Sequence, residues 1–508
     1  MPSDPLLRFR RSAVQLHALA EVERTIRATD TGGRRQYLRD FSESFRSYRR
    51  VLSHPEIDQR ACSANIVLVG DYHALPASQL YTAGLVERLS ASGQRVILGV
   101  EAVVARDQRI LDEWQRDEID SDELRTRIHF ETGWGYDWQP FSELLHRSRA
   151  AGAKIFGLDC SPRQDMRSIR ARDRHAAVKI DELRSAHPDA VLVVLFGESH
   201  LAPNHLPLMV QNLREHDRIF TVLQNIDPVY WLSAGEPQDL VEAVELRDEV
   251  VCVFSATPLE KYEHYRLAIE RWKQVRSHCV DLAPSFYNLI TALFQFLNID
   301  LYSTEHSANR AFLVDDLPEV WSATRNEEQF DRLLDRRLGP HAQNIRRELD
   351  RRGSYFLADR NVIVAREYRM PWAAEQAARC VYYACQKNVS RDGANLTPDD
   401  DFYLHALESA LSFFGSKVLC PARKLFPESE VLERRQRLIP RAAQPTPDAI
   451  RMFGHSLGSE LYTAYVRGEV SKRWLRGLFF KDVSKPGAAK ALYTQAAERV
   501  QSGKLKSA

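Results

Sequence analysis

Val191-Leu192-Val193-Val194-Leu195-Phe196-Gly197 is an unbroken apolar run that leads directly into Glu198-Ser199-His200. A run this short, apolar at every position, reads as a strand buried on both faces. Three more runs share its pattern. Ile66-Val67-Leu68-Val69-Gly70 leads into Asp71-Tyr72-His73, Val96-Ile97-Leu98-Gly99-Val100 into Glu101, and Lys154-Ile155-Phe156-Gly157-Leu158 into Asp159. Amphipathic stretches suited to helices separate them, at 77–92, 106–116, 140–151, 174–186 and 203–215, and further strands are expected at 219–223 and 250–255. Strands alternating with helices predict an α/β fold with a mostly parallel sheet and flanking helices. In such a sheet the four strand ends share one edge, the edge that carries the ligand crevice in open α/β folds.

The pattern changes on either side of this core. Residues 1–55 read as a charged helical segment, 56–256 as the α/β domain, and 257–508 as a large α-helical region. Helical periodicity predominates at 260–276, 284–297, 326–338, 342–352, 371–386, 402–414 and 428–438. Asn361–Ala365 reads equally as an isolated strand or a helix start, and Pro440, Pro445 and Pro447 mark a linker.

A chain of 508 residues exceeds one ordinary core, so more than one domain is expected. The formal net charge of +1 provides no bulk electrostatic pull toward nucleic acid or an anionic membrane. The N-terminus has no apolar segment of a secretory signal, and the apolar stretch 286–302 is interrupted by Asn288, Thr291, Gln295, Asn298 and Asp300. Seven scattered cysteines without a CxxC pattern are expected as reduced thiols in a cytoplasmic protein.

Gly70-Asp71-Tyr72-His73 and Gly197-Glu198-Ser199-His200 follow the same order of glycine, acid and histidine after a strand. Glycine lets a ligand approach the backbone, and an acid with an imidazole can hold a divalent metal or act as a base with its orienter. Glu101 and Asp159 share the edge, and two imidazoles with several carboxylates suit Zn, Mn, Co or Fe alike. His205 either joins the site or caps the next helix. Phe130, Trp134, Tyr136, Trp138 and Phe141 read as core or a packed loop, with a flat ligand's pocket as the alternative; Tyr72 is a candidate axial ligand to ferric haem. Arg172, Asp173, Arg174 and His175 read either as an anion site or as a solvated first turn. Gly454-His455-Ser456-Leu457-Gly458 matches the nucleophile-elbow pattern GxSxG, yet Ile450, Phe453, Leu457, Leu461 and Tyr465 place it inside a helix, where a serine has no elbow geometry.

Taken in order, Gly70–His73, Gly99–Val103 with Gln108 and Leu111-Asp112, Trp134–Trp138 and Leu195–Leu201 resemble the ChaN-like haem-binding uptake family of the Tiki/erythromycin-esterase superfamily, over about residues 64–210. That resemblance implies an α/β sheet with a site built from His73, Glu101 and His200. It also implies unlike activities: metal-dependent peptidases, lactone hydrolases and haem binders. The expected function is metal-dependent hydrolysis of an amide, ester or lactone in a small-molecule or peptide substrate. His73, Glu101, His200 and Asp159 would hold the metal, with Asp71 or Glu198 as orienter or base. The alternative is a non-catalytic haem- or iron-binding protein using Tyr72 or a histidine. A third reading has a protein partner on the helical region.

Overall fold

A computed structural model of the chain describes residues 4–28, 35–161, 163, 169–238, 240–273, 280–299, 317–322, 327–386, 397–424 and 446–507. Eight strands form one sheet: β1 (Arg50–Leu52), β2 (Ile66–Asp71), β3 (Arg95–Val104), β4 (Lys154–Asp159), β5 (Ala190–Gly197), β6 (Ile219–Gln224), β7 (Ala243–Arg247) and β8 (Val250–Val253). Their order is β1-β7-β8-β6-β2-β5-β3-β4. From β8 to β4 every pairing is parallel, and only β1–β7 and β7–β8 are antiparallel. The chain is thus an α/β protein with a mostly parallel sheet and a large helical region. The period of two along each strand explains its burial. Val67, Val69, Leu98, Val100, Val193 and Leu195 enter one core, while Ile66, Leu68, Ile97, Leu192, Val194 and Phe196 enter the other. Helices cover both faces, which is why these strands read as continuous apolar runs.

Two strands of this sheet did not announce themselves. β1 lies in a segment read as helical, and three residues are too few to show a period. β7 turns back into β8 through Asp248 and Glu249, the latter at φ 57°, and it is half-buried at alternate positions.

The chain divides into two compact units, residues 23–273 and residues 1–22 with 274–508. Helix Pro258–Lys273 therefore belongs with the sheet. In the second unit the run near 361 is a strand. Val362–Ala365 (β11) pairs antiparallel with Ser354–Leu357 (β10) and parallel with Glu319–Ser322 (β9). The rest of the described unit is predominantly helical. Ser456 lies inside helix Pro447–Val466, as its periodicity required. The two glycines of the GxSxG pattern serve packing: a methyl group on Gly454 or Gly458 would lie 2.3 Å from the carbonyl oxygen of Ala406 or Ala410 on helix Pro398–Leu419. The helix expected at 428–438, with Pro440 and Pro445, lies outside the described residues. Among the described residues no helix is long and apolar enough to cross a membrane.

Candidate functional site

Strand order decides which residues meet. β5 lies between β2 and β3, and β4 pairs with β3, so the segments that carry His73, His200, Glu101 and Asp159 are neighbours; β3 was expected to end on Glu101 but runs three residues further, to Val104, with a shift of register against β4 after Val100. Register brings Asp71 opposite Gly197 and Val100 opposite Leu195. Gly197 is where three side chains converge. A methyl group there would lie 3.2 Å from Glu101 Oε2, His200 Cδ2 and His73 Cε1 alike. A glycine suits this close approach, and its N–H donates to Glu101 Oε2 at 2.6 Å.

Both imidazoles are oriented in the same way. His73 Nδ1 is 2.8 Å from Asp71 Oδ2, and Gln79 Nε2 donates to Asp71 Oδ1. His200 Nδ1 is 2.5 Å from Asp173 Oδ1, and the Tyr37 hydroxyl donates to Asp173 Oδ2 at 2.9 Å. With a carboxylate on each Nδ1, that nitrogen carries a proton and Nε2 is left on the Glu101 side. Both Nε2 atoms face Glu101, at 3.8 Å from His73 and 3.9 Å from His200.

Glu101 is buried, which by itself would raise its carboxyl. The positive charge of His73 and His200 when protonated, the Arg172 guanidinium and the Gly197 N–H outweigh that and hold it at about 2. Arg172 Nη2 lies 2.5 Å from Glu101 Oε1, and its fork also takes both oxygens of Asp159 at 2.8 Å. Asp159 receives Arg163 as well, at 2.7 Å. Asp159 is fully buried and its carboxylate is engaged by two guanidinia, so its place in the site is to anchor Arg172 beside Glu101.

Glu198 belongs to a second group on this edge. Burial raises its carboxyl, and Lys261 Nζ, at 3.1 Å, only partly offsets this. Lys261 reaches in from helix Pro258–Lys273 and also contacts Asn225 O at 3.2 Å and the face of Tyr72 at 4.5 Å. The Tyr72 phenol is pushed well up by burial and by the neighbouring Tyr262, Glu198 and Asp227. Aromatic side chains border His73: Trp134 at 4.4 Å and Tyr136 at 5.2 Å between ring centres, with Trp272 beyond Tyr136 at 5.3 Å. Trp138, Phe130 and Phe141 instead pack on one another in the core.

Residues 58–192 match the family model described as haem-binding uptake, Tiki superfamily, ChaN. This segment is ChaN-like. It carries Asp71, His73, Glu101, Asp159, Arg172 and Asp173, while His200, Tyr37 and Lys261 come from outside it. No curated protein sequence matches the chain. Among solved structures it is similar to ChaN of Campylobacter jejuni, described with cofacial haem binding, at 15% identity over 34% of this chain and 86% of that one, with a TM-score of 0.27. It is also similar to the type III effector HopBA1, at 14% identity, 41% and 95% coverage and a TM-score of 0.31. The third is a structure of the C-terminal region of Pasteurella multocida toxin, described with a thiol-protease-like catalytic triad, at 12% identity, 41% and 30% coverage and a TM-score of 0.27.

Two groups were expected at the ChaN-like edge. For a divalent metal, the imidazoles have the carboxylate partners typical of metal-binding histidines. The carboxylates do not follow: Glu101 is taken by Arg172 and the Gly197 N–H, and Asp159 by Arg172 and Arg163. Among the described residues no three His, Cys, Asp or Glu side chains are grouped to hold a metal ion. As arranged, this donor set does not fit one, and Asp159 in particular is an ion-pair anchor rather than a ligand. For haem, His73 beside Trp134 and Tyr136 supplies an imidazole donor with aromatic neighbours, residue types that suit such a ligand. Tyr72 does not suit a tyrosinate, because its surroundings keep the phenol protonated.

Sequence reasoning missed Tyr37 and Lys261 and left Arg172 and Asp173 undecided. Both of the latter are buried, in the first turns of helix Ile169–Ala186. The remaining signal was weak: a charged pair, Arg-Asp, opening the helix after β4.

Proposed function

We propose that the strand-end site is a hydrolytic centre acting on an amide, ester or lactone, with His73 as general base. The observation that carries this is the chain Gln79–Asp71–His73, which turns Nε2 of a partly exposed imidazole toward buried, ionised Glu101. Asp71 accepts the Nδ1 proton and fixes the tautomer, leaving Nε2 to take a proton from water as its oxygen attacks the carbonyl carbon. The imidazolium that forms lies between Asp71 and Glu101, two carboxylates that stabilise it. It returns the proton to the departing nitrogen or oxygen, and His73 is regenerated neutral. Arg172 keeps Glu101 ionised and in place. No step here runs through a metal.

A panel of aryl and alkyl esters, lactones and peptide amides tests the reading. Wild type should hydrolyse at least one class, and His73→Ala should abolish that turnover while leaving the fold intact. Equal rates in the two proteins would sink it.

The second reading is haem binding at the same strand ends. It is favoured by the family description of residues 58–192 and by the Trp134 and Tyr136 rings against His73. His73 would hold the iron, and haem would supply its own redox or transport chemistry. Titration with haemin, followed by absorbance, should then yield a Soret shift in wild type that is missing in His73→Ala.

A further inference from the structure

We infer that Tyr37, on helix Arg35–Ser44 and outside the ChaN-like segment, is a positioning residue for His200, acting through Asp173. The inference rests on the hydrolytic reading only for its effect on rate; the geometry stands without it. His200 Nδ1–H donates to one oxygen of Asp173, and the other oxygen receives the Tyr37 hydroxyl at 2.9 Å. The Asp173 side chain is fully buried. Without the hydroxyl, a buried carboxylate oxygen would lose a donor, and the carboxylate would be free to turn about its Cβ–Cγ bond. Two donors on opposite oxygens fix its plane, and with it the imidazole and the direction of Nε2 toward Glu101.

The ring of Tyr37 is itself held. It stacks on His205 at 3.9 Å with 21° between planes and meets His200 edge-on at 5.6 Å. His205 Nε2 is 3.2 Å from Asp40 Oδ2, three residues further along the helix that carries Tyr37. Burial and the Asp173 carboxylate both raise the Tyr37 phenol, so the hydroxyl stays a donor. His205 thus serves as a support for Tyr37, which accounts for a histidine that sequence reasoning could place either in the site or at a helix cap.

Imidazole nitrogen NMR on the full chain, labelled at histidine nitrogens, tests this without a substrate. In wild type, His200 should display one Nδ1–H signal, from a single hydrogen-bonded arrangement with Asp173. Tyr37→Phe keeps the ring and removes the donor; it should shift and broaden the His200 Nδ1–H signal and leave the His73 signals unchanged. A His200 signal identical to wild type in Tyr37→Phe would overturn the inference. Should that variant fail to fold, replacing tyrosine by 3-fluorotyrosine keeps the ring in place and makes the hydroxyl a stronger donor, and an unchanged His200 Nδ1–H signal there would overturn the inference equally. On a hydrolysed substrate, Tyr37→Phe should lower kcat about tenfold with KM unchanged, because His200 Nε2 faces Glu101, the carboxylate that stabilises the His73 imidazolium. An altered His200 signal with no hydrolysis in any protein would leave the positioning role standing and count against the hydrolytic reading alone.

Discussion

Each compact unit contains a histidine, a glutamate and an arginine in contact, and the two clusters differ in how the imidazole is used. In the helical unit His455 Nε2 is 3.2 Å from Glu375, its ring lies 4.5 Å from Phe413, and its side chain is 3% exposed. Arg423 pairs with the same glutamate, bonds Ser416 Oγ and Pro371 O, and lies between the rings of Trp372 and Phe413. In the sheet unit Asp71 takes Nδ1 of His73, Nε2 stands 3.8 Å from Glu101, and the side chain is 16% exposed at the strand ends. The groups are the same, but one imidazole is a cross-link between helices and the other is aimed across an edge that a ligand can reach. The placement of the nitrogen, more than the residue types, separates a structural cluster from a candidate site.

The largest effects should come from the arginines, and should be alike in the two units. Arg172→Ala leaves Glu101 and Asp159 buried without their shared cation, and Arg423→Ala does the same to Glu375. Each should cost about 3–5 kcal/mol in its own unit, read by hydrogen exchange of peptides from that unit. A cost below about 1 kcal/mol for Arg172→Ala would mean that Glu101 does not depend on this pairing for its charge.

The histidines should part company. His73→Ala should lower hydrolysis at least about 100-fold with little change in the stability of the sheet unit. His455→Ala should destabilise the helical unit by about 1–3 kcal/mol and leave hydrolysis as it was. Loss of hydrolysis in both variants would erase the distinction drawn between the clusters.

Most of the sheet, and the core of the site, were readable because burial on both faces leaves a long apolar signature and strand ends are fixed points in a parallel sheet. His73, Glu101 and His200 needed no more than that. Tyr37 was hidden because, four residues before Phe41 and eight before Phe45, it falls on a face that packs, and spacing does not show that its hydroxyl meets Asp173. Lys261 was hidden because its helix follows the last strand and looked like the start of the helical region. Arg172 and Asp173 looked like an ordinary helix opening; only the fold shows that the helix opens against Glu101. In the other direction, Gly454 and Gly458 matched a catalytic pattern for a reason of packing. A one-dimensional pattern cannot tell glycine needed for a turn from glycine needed for the close passage of two helices.

Those glycines provide a third contrast. Gly458→Ala would set a methyl group 2.3 Å from a helix carbonyl that cannot move without parting the helices, and should cost about 1–3 kcal/mol. Gly197→Ala meets only side-chain atoms, at 3.2 Å, so its neighbours can shift by a few tenths of an ångström. Its stability should barely change while hydrolysis falls several-fold. Thermal unfolding and turnover, measured on both variants, should rank them oppositely.

Acid should separate the clusters by a smaller margin. Glu101 is held at about 2, below the ordinary range near 4.5, so its contribution is complete above pH 4.5 and is lost as pH falls from there toward 2. His455 is lowered chiefly by burial, against the pull of Glu375, so its contribution begins to fade earlier, as pH drops below its ordinary value of 6.5. Each slope is at most about 1.4 kcal/mol per pH unit for one proton. The stability difference between wild type and His455→Phe should therefore decline below pH 6.5, whereas the difference between wild type and Glu101→Gln stays level down to pH 4.5. Were the Glu101 difference to fade first, the network around Glu101 would be holding its charge far less firmly than the geometry of Arg172, His73, His200 and Gly197 requires.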